Sequence, residues 1–153
     1  MKNIFVNLKR FDVPRERGGV CPSSNPADWI RTVMKESVSL GIGLFNDISV
    51  VYLVPEALIV PAQETLAQFP ENMRGTLSVG SQSVYRKNIE TGKNFGAFTS
   101  NMPAASAYQM GCRWSMIGHS EERRDKQEII ETFHPNCNEF DFLREKCSIA
   151  VDT

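Results

Sequence analysis

The sequence predicts an α/β fold in which short parallel strands alternate with helices. Two observations support this prediction: apolar, β-branched segments recur along the chain, and the segments between them have helical periodicity and helix-start signals. A strand–helix–strand order of this kind favours right-handed crossovers and a parallel sheet. The pattern leaves a closed barrel and an open, doubly wound sheet as alternatives. No GxGxxG or GxxxxGK[ST] motif follows a predicted strand, which weakens the common nucleotide-binding versions.

Four strands are predicted, each short and followed by polar or turn-forming residues. The first, at residues 3–8, and the second, at 48–54, have the apolar character of buried strands. The third is predicted at 76–79 and the fourth at 113–117. If the strands are parallel, their carboxyl ends meet at one edge of the sheet, which is the ligand-binding face in such proteins.

Three helices are predicted between the strands. The first begins at Asn25 as N-cap, with Pro26 at the first helical position, and ends at Gly41. The other two are predicted from near Pro61 to Phe69 and from near Pro103 to Gly111. The tail beyond the fourth strand is more polar and partly helical.

Composition and charge narrow the classes of function. With 153 residues, a net charge of -1 and an apolar content of 41%, the sequence is typical of a globular protein. This balance predicts neither nucleic acid nor a membrane as partner. The apolar stretches are too short to span a bilayer, and the N-terminus lacks a secretory apolar core. The four cysteines are scattered, so a cytoplasmic protein with reduced thiols is expected.

One group of residues has the chemistry of metal ligands but not the spacing. His134, Cys137 and Cys147 form an H-x2-C-x9-C pattern. Structural zinc sites usually draw four ligands from two close pairs, and the second pair is missing here. The sequence therefore predicts no metal site.

Two polar side chains stand at the end of the first predicted strand. Asn7 and Lys9 flank Leu8, and side chains alternate along a strand, so the amide and the ammonium are predicted to point the same way. Two such donors aimed into a cavity would stabilise an oxyanion. The ordinary alternative is that Lys9 only solvates the end of the strand.

A histidine follows the fourth predicted strand, within residues 118–121 (GHSE). Ser120 and the acids after it indicate a helix N-terminus, whose partial positive charge disfavours a protonated imidazole. His119 would then be neutral and act as a hydrogen-bond donor. His119, Ser120 and Glu121 are sequence neighbours and cannot form a catalytic triad. A structural or solvated histidine is the ordinary alternative.

A long connection lies between the third strand and the third helix. It runs from residue 81 to residue 101 and ends in Gly96-Ala97-Phe98-Thr99 (GAFT). Loops of this length are usually functional or lie at interfaces. The alternative is a mobile, solvated connection, which Phe98 argues against because an exposed aromatic usually finds a packing partner.

Taken together, these segments resemble the triosephosphate isomerase family. Residues 7–9 (NLK) resemble that family's N-W-K, and residues 81–85 (SQSVY) resemble its A-Q-N-V-Y. Residues 96–99 match its G-A-F-T, and residues 114–121 (WSMIGHSE) resemble its W-V-I-L-G-H-S-E. The order and rough spacing of the segments also agree, over about residues 3 to 124.

The resemblance implies the eight-stranded (β/α)8 barrel, which works as a homodimer without a cofactor. The substrate of such an enzyme would be a small sugar phosphate, and its reaction would belong to glycolysis and gluconeogenesis. Phe98 and Thr99 would lie in a dimer-contact loop that reaches the other subunit, where Thr99 would approach that subunit's Asn7.

The resemblance also implies roles for the polar residues. His119 and Lys9 would be catalytic, with Asn7 and Lys9 contacting the substrate. The reaction would interconvert glyceraldehyde 3-phosphate and dihydroxyacetone phosphate through an enediolate. A neutral histidine paired with a glutamate base is a known feature of this family, so the role of His119 is carried over and not deduced. Ser120 and Glu121 would support these groups without contacting the substrate. Glu121 would orient Lys9 and Ser120.

Several positions depart from the family pattern. Leu8 replaces a tryptophan, and the segment at residues 10–25 is longer than its family counterpart. Residues 100–101 (SN) replace Gly-Glu, and Glu122 stands where the family has an arginine. The last two changes fall where the family makes dimer contacts, so an altered dimer and another small sugar phosphate as substrate are left as alternatives.

A full barrel takes about 250 residues. The 153 residues are therefore expected to form a single partial domain of about the first four βα units, without the C-terminal half. The family's glutamate base and phosphate loops would lie in that half, so the chain is expected to be inactive alone. Exposed strand edges predict association with itself or with the missing half. A non-catalytic half-barrel assembly module, or an open α/β protein with a coincidental GHSE, remain as alternatives.

Overall fold

A three-stranded parallel sheet organises the N-terminal part of the protein. The computed structural model describes residues 2–133 and positions 144, 147, 148 and 151. The strands lie in the order β1-β2-β3. They are β1 (Lys2–Asn7), β2 (Ile48–Val54) and β3 (Ser78–Ser81). The register pairs Phe5 with Val51 and Tyr52 with Val79. The predicted parallel α/β class is confirmed, and β2 has the predicted bounds.

Five helices accompany the sheet within the described residues. They are α1 (Pro26–Ser39), α2 (Glu56–Ala67), α3 (Glu71–Arg74), α4 (Ala104–Gln109) and α5 (Ser120–Phe133). The chain forms two compact units. The first comprises Met1–Gln82 with Met110–Trp114 and contains the sheet and α1–α3; the second comprises Ser83–Gln109 with Ser115–Thr153 and contains α4 and α5.

The core of the first unit lies around the central strand β2. Val51 and Val54 of this strand are fully buried, and α1 packs against α2. Helix α1 contributes Ile30 and Met34, and α2 contributes Ile59, all fully buried. A central parallel strand is covered on both faces, so its near-continuous apolar sequence identifies it correctly.

Helix α1 begins and ends where the sequence predicts. The Asn25 side chain accepts hydrogen bonds from the backbone N–H groups of Ala27 and Asp28 at 3.1 and 3.4 Å. Gly41 follows the helix with φ 68°, a left-handed conformation that glycine adopts without a steric penalty. The residues that predicted the two ends of α1 therefore form the caps there.

Helix α2 begins at Glu56, earlier than the predicted start near Pro61. Pro61 lies inside the helix, where it cannot donate to the carbonyl of the preceding turn. Leu58 and Ile59 are buried on this helix, so apolar burial outweighs the loss of one hydrogen bond. The Thr65 hydroxyl donates to the Pro61 carbonyl at 2.7 Å.

The fourth strand predicted at residues 113–117 does not form a strand of the sheet. One backbone hydrogen bond links the segment to β3, from Ser81 N to Trp114 O at 2.9 Å. At Gly80, an added Cβ would lie 2.6 Å from that same carbonyl, so the close approach requires glycine. Ser115 forms only an isolated bridge, and residues 113–117 contain no continuous strand.

Strand β1 is exposed and not buried as the sequence predicts. It lies at the edge of the sheet and pairs with β2, and Ile4 and Phe5 are each 47% exposed. The Phe5 ring contacts the Trp114 ring edge to face, with centroids 5.3 Å apart. The apolar sequence of β1 predicted burial, but a strand at the edge of a sheet has a neighbour on one side only and stays partly exposed.

Within the described residues, no helix combines the length and apolar character needed to cross a membrane.

The Asn25 cap gives a direct test of α1. We expect Asn25→Ala to lower the free energy of unfolding by about 1 kcal/mol, because two backbone donors lose their acceptor. Urea denaturation followed by circular dichroism measures the change. Asn25→Ser keeps a side-chain oxygen and should remain close to the wild type. Equal losses in the two variants would show that the cap does not stabilise α1.

Candidate active site

The predicted site residues belong to two different units. Asn7 and Lys9 lie in the first unit, whereas Phe98 and Thr99 lie in the second with His119, Ser120 and Glu121. Each group has a local geometry of its own. The first is built at the end of β1, and the second at the start of α5 and in the long loop.

The turn after β1 differs from the extended backbone assumed for Asn7 and Lys9. The strand ends at Asn7, and Lys9 has φ 39°, in the left-handed region. The alternation rule therefore does not apply to Lys9, and the shared direction of the two side chains stays a prediction without that support. The Lys9 backbone N–H donates to Asn7 Oδ1 at 2.9 Å, so the asparagine side chain stabilises its own turn.

Gln82 joins the ends of the three strands. Its Nε2 group donates to Asn7 Oδ1 at 2.9 Å, to the Lys9 carbonyl at 2.7 Å and to the Leu53 carbonyl at 3.2 Å. The Gln82 backbone N–H donates to the Val54 carbonyl at 3.3 Å. An amide NH2 carries two hydrogens, so these three acceptors share them.

Gln82 is a site residue that the sequence analysis did not single out. It appears there only as part of the SQSVY motif. In the structure it is the first residue after β3, at the carboxyl edge where ligand-binding side chains gather. The strand predicted at residues 76–79 ends two residues earlier than β3 and did not place Gln82 there. The three acceptors that make it important come from residues 29 to 75 positions away, so sequence proximity could not reveal them.

The Gln82 contacts decide what the first group can offer a ligand. A non-glycine residue in the left-handed region costs on the order of 1–3 kcal/mol, and such strain persists only where neighbours hold it. Here Gln82 holds the Lys9 carbonyl. Asn7 Oδ1 accepts from Lys9 N and from Gln82, so the remaining polar group of the Asn7 side chain is its NH2 donor. The ammonium and the amide NH2 together suit an anionic ligand.

His119 is the N-cap residue of α5. Its carbonyl accepts the first helical hydrogen bond, from Arg123 N at 3.0 Å, and its Nδ1 accepts from the Glu121 backbone N–H at 3.4 Å. The predicted helix start after His119 is confirmed. An Nδ1 that accepts this bond carries no proton, so the hydrogen of a neutral imidazole resides on Nε2. The His119 side chain is 34% exposed.

Ser120 and Glu121 are more exposed than His119. The Glu121 side chain is 87% exposed, and its carboxylate lies 3.6 Å from His119 Nδ1. The two groups form an ion pair only when the imidazole is protonated. Ser120 is exposed in the first turn of α5. The predicted support of Lys9 by Glu121 stays a prediction.

The long connection between β3 and α4 has an internal framework. Residues 82–103 are all described and contain no helix or strand, as predicted. The Tyr85 backbone N–H donates to the Met102 carbonyl at 2.7 Å and closes the base of the loop. The half-buried Phe98 packs against Tyr85 with ring centroids 5.3 Å apart, whereas Thr99 is exposed. The predicted contact of Thr99 with a second subunit stays a prediction.

Three thiols lie within the described residues. Cys21, Cys112 and Cys147 are free. Burial raises the pKa of Cys112 to about 11, so this thiol stays protonated at neutral pH and is a poor nucleophile. Of the residues weighed as metal ligands, His134 and Cys137 lie outside the described part of the chain.

Known proteins resemble this chain in sequence. A family model described as "Triosephosphate isomerase" matches residues 45–141. The triosephosphate isomerase of Candida albicans is 30% identical over 108 residues, which are 71% of this chain and 35% of that protein. The triosephosphate isomerase of Granulibacter bethesdensis is 32% identical over 78 residues, which are 50% of this chain and 29% of that protein. The match thus spans no more than 35% of either relative.

A solved structure resembles the chain in fold. The crystal structure of triosephosphate isomerase from Bartonella henselae aligns with a TM-score of 0.59 at 18% identity, over 99% of this chain and 46% of that chain. At this identity the likeness shows the fold alone. The predicted fold class, part of a (β/α)8 barrel, is confirmed by this likeness together with the parallel sheet.

Replacing Gln82 tests the contacts at the strand ends. We expect Gln82→Met to lower the free energy of unfolding by about 1–3 kcal/mol, because the Lys9 and Leu53 carbonyls lose a donor. The backbone amide of Lys9 should also exchange faster with solvent. Denaturation and amide hydrogen exchange measure these effects. The matched control is Gln68→Met, the same chemical change at an exposed position. Indistinguishable variants would refute the role given to Gln82.

Proposed function

The chain belongs to the triosephosphate isomerase family, and on that basis we propose that it supplies the oxyanion-binding side of an aldose–ketose isomerase site. The proposed reaction interconverts glyceraldehyde 3-phosphate and dihydroxyacetone phosphate, in glycolysis and gluconeogenesis, without a cofactor. One observation carries the proposal: His119 caps α5 through Nδ1, which places the imidazole hydrogen on Nε2 as a donor.

The chemistry of isomerisation explains why such a donor matters. A base removes a proton from the carbon beside the carbonyl, which leaves an enediolate with negative charge on its oxygens. Return of the proton to the neighbouring carbon gives the isomer. His119 is proposed to donate Nε2–H to these oxygens and to move a proton between them. The pairing of a neutral histidine with a glutamate base is a known arrangement in this family and is carried over to His119.

Lys9 and Asn7 are proposed to contact the substrate from the end of β1. The ammonium would offset negative charge on the enediolate and the phosphate, and the Asn7 NH2 group would donate to an oxygen. Support comes from the contacts of Gln82, which hold Asn7 Oδ1 and the Lys9 carbonyl. Ser120 and Glu121 are proposed to support these groups without touching the reacting atoms.

We propose that two further parts of the reaction depend on groups outside the described residues. The chemistry requires a carbon base and a grip on the phosphate. The chain matches no more than 35% of its curated relatives, and we propose that both parts lie in the portion that it does not match. The chain would then be a single partial barrel domain, inactive alone.

We further propose that β1 is covered in the working protein. Ile4 and Phe5 are each 47% exposed at the edge of the sheet, and Trp114 is 41% exposed beside Phe5. The partner would be the remaining part of a barrel or a second copy of this chain, with Phe98 and Thr99 in the contact between subunits. Exposed apolar edges of this kind promote association. A cytoplasmic location completes the proposal.

A chimera tests the isomerase function. This chain would replace the matched part of the Candida albicans enzyme, and a coupled assay would measure turnover of glyceraldehyde 3-phosphate. We expect the chimera to turn over, and His119→Gln to lower kcat by about 10²- to 10⁴-fold, the usual worth of a general acid–base group.

The control for this experiment is His134→Gln, a substitution of the only other histidine in the sequence, which should leave kcat unchanged. Full turnover in His119→Gln, or a folded but inactive chimera, would count against the proposal. Enzyme-like turnover by the 153-residue chain alone would contradict the part that calls it inactive.

Association through β1 has its own test. Light scattering should show the wild-type chain as a dimer or larger species. Ile4→Lys should shift it toward the monomer, because a charge at the apolar edge resists burial. Leu40→Lys changes another exposed apolar residue, 75% exposed and away from β1, and should leave the mass unchanged. A compact wild-type monomer would refute the association.

A further inference from the structure

The first turn of α5 carries a carboxylate that bonds back onto the residue before His119. Glu122 Oε2 accepts a hydrogen bond from the Gly118 backbone N–H at 3.3 Å. Gly118 has φ 79°, a conformation that glycine adopts readily and other residues rarely do. The contact therefore closes a ring of backbone and side chain around His119.

This contact belongs to one connected arrangement. His119 Nδ1 accepts from Glu121 N, and the His119 carbonyl accepts from Arg123 N. In a capping box, the acid at the third helical position bonds to the N–H of the N-cap residue itself. Here the bond goes to Gly118, one residue earlier. It fixes the peptide through which the chain enters His119.

We propose that Glu122 is a positioning residue for His119, an inference that rests on the proposed function for its catalytic meaning. By holding Gly118, the carboxylate sets the direction in which the imidazole leaves the backbone. Nδ1 then stays on the Glu121 N–H, and Nε2–H is presented to the substrate. The family pattern has an arginine at this place, so this chain holds its histidine by a contact that the pattern does not contain.

A negative charge in the first helical turn also interacts favourably with the helix dipole, whatever it bonds to. Two variants separate the contact from the charge. Glu122→Gln keeps a side-chain oxygen at the same reach without the charge. Glu122→Asp keeps the charge but is one methylene shorter and loses the reach. Glu122→Ala removes both, and Glu128→Ala removes an exposed charge from the same helix as a control.

The readouts are the nitrogen-15 signals of the His119 ring and the amide exchange of Gly118 and Glu121, measured on the chain without substrate. We expect Glu122→Ala and Glu122→Asp to speed exchange of the Glu121 amide by roughly two- to tenfold, as for the loss of one hydrogen bond. The Nδ1 signal should move away from that of a pure acceptor. Glu122→Gln and Glu128→Ala should match the wild type.

Two results would overturn the inference. One is a Glu122→Ala variant with wild-type ring signals and amide exchange. The other is Glu122→Gln behaving like Glu122→Ala, since that would make the charge and not the contact responsible. Circular dichroism on each variant checks that α5 is retained, and Glu122→Gln gives the decisive comparison if Glu122→Ala does not fold.

The chimera links positioning to turnover. There, Glu122→Ala should lower kcat by roughly tenfold with little change in KM, because the imidazole acts mainly in the transition state. An unchanged kcat in His119→Gln would defeat the proposed function and leave the ring signals of the Glu122 variants as a separate test of positioning. The two proposals can therefore fail independently.

Discussion

The side-chain amide of Gln82 holds the carboxyl ends of three parallel strands together, and the geometry around Lys9 depends on it. Parallel strands deliver their ends to one edge of a sheet, but each chain segment leaves that edge in its own direction. Gln82 meets the Lys9 and Leu53 carbonyls and Asn7 Oδ1 with one NH2 group. A left-handed residue at Lys9 is tolerable because its carbonyl has a fixed donor. The contact thus fixes the backbone at Lys9 as well as the ends of the strands.

Local signals in the sequence predicted much of this correctly. Asn25 and Gly41 mark the ends of α1 by their own capping chemistry. The β-branched, apolar sequence of β2 indicates a strand that is buried on both faces of the sheet. The start of α5 after His119 follows from the residues in its first turn. At the helix ends the determining contacts lie within a few residues, so the pattern and the structure express the same interactions. For β2 the apolar pattern indicates the burial that distant elements provide.

Tertiary contacts decided the rest, and these leave little trace in a single sequence. Pro61 suggested a helix start, yet burial of Leu58 and Ile59 extends α2 to the preceding turn. The apolar sequence of β1 indicated burial, but its place at the sheet edge leaves Phe5 half exposed. Gln82 gained its role from three distant acceptors. Family resemblance supplied residue roles that no local pattern could supply, and it did not reveal the turn at Lys9.

The imidazole of His119 caps a helix with one ring nitrogen and leaves the other as a donor. An N-cap residue must offer an acceptor to the first turn, and serine, threonine, aspartate and asparagine are the residues preferred there. When an imidazole takes the position, the backbone N–H of Glu121 occupies Nδ1, and the tautomer is set by the helix. The helix thereby fixes Nε2 as the donor of a neutral imidazole. A serine cap would accept the same backbone hydrogen bond but present no ring N–H, so histidine adds to this helix terminus a donor that capping itself does not require.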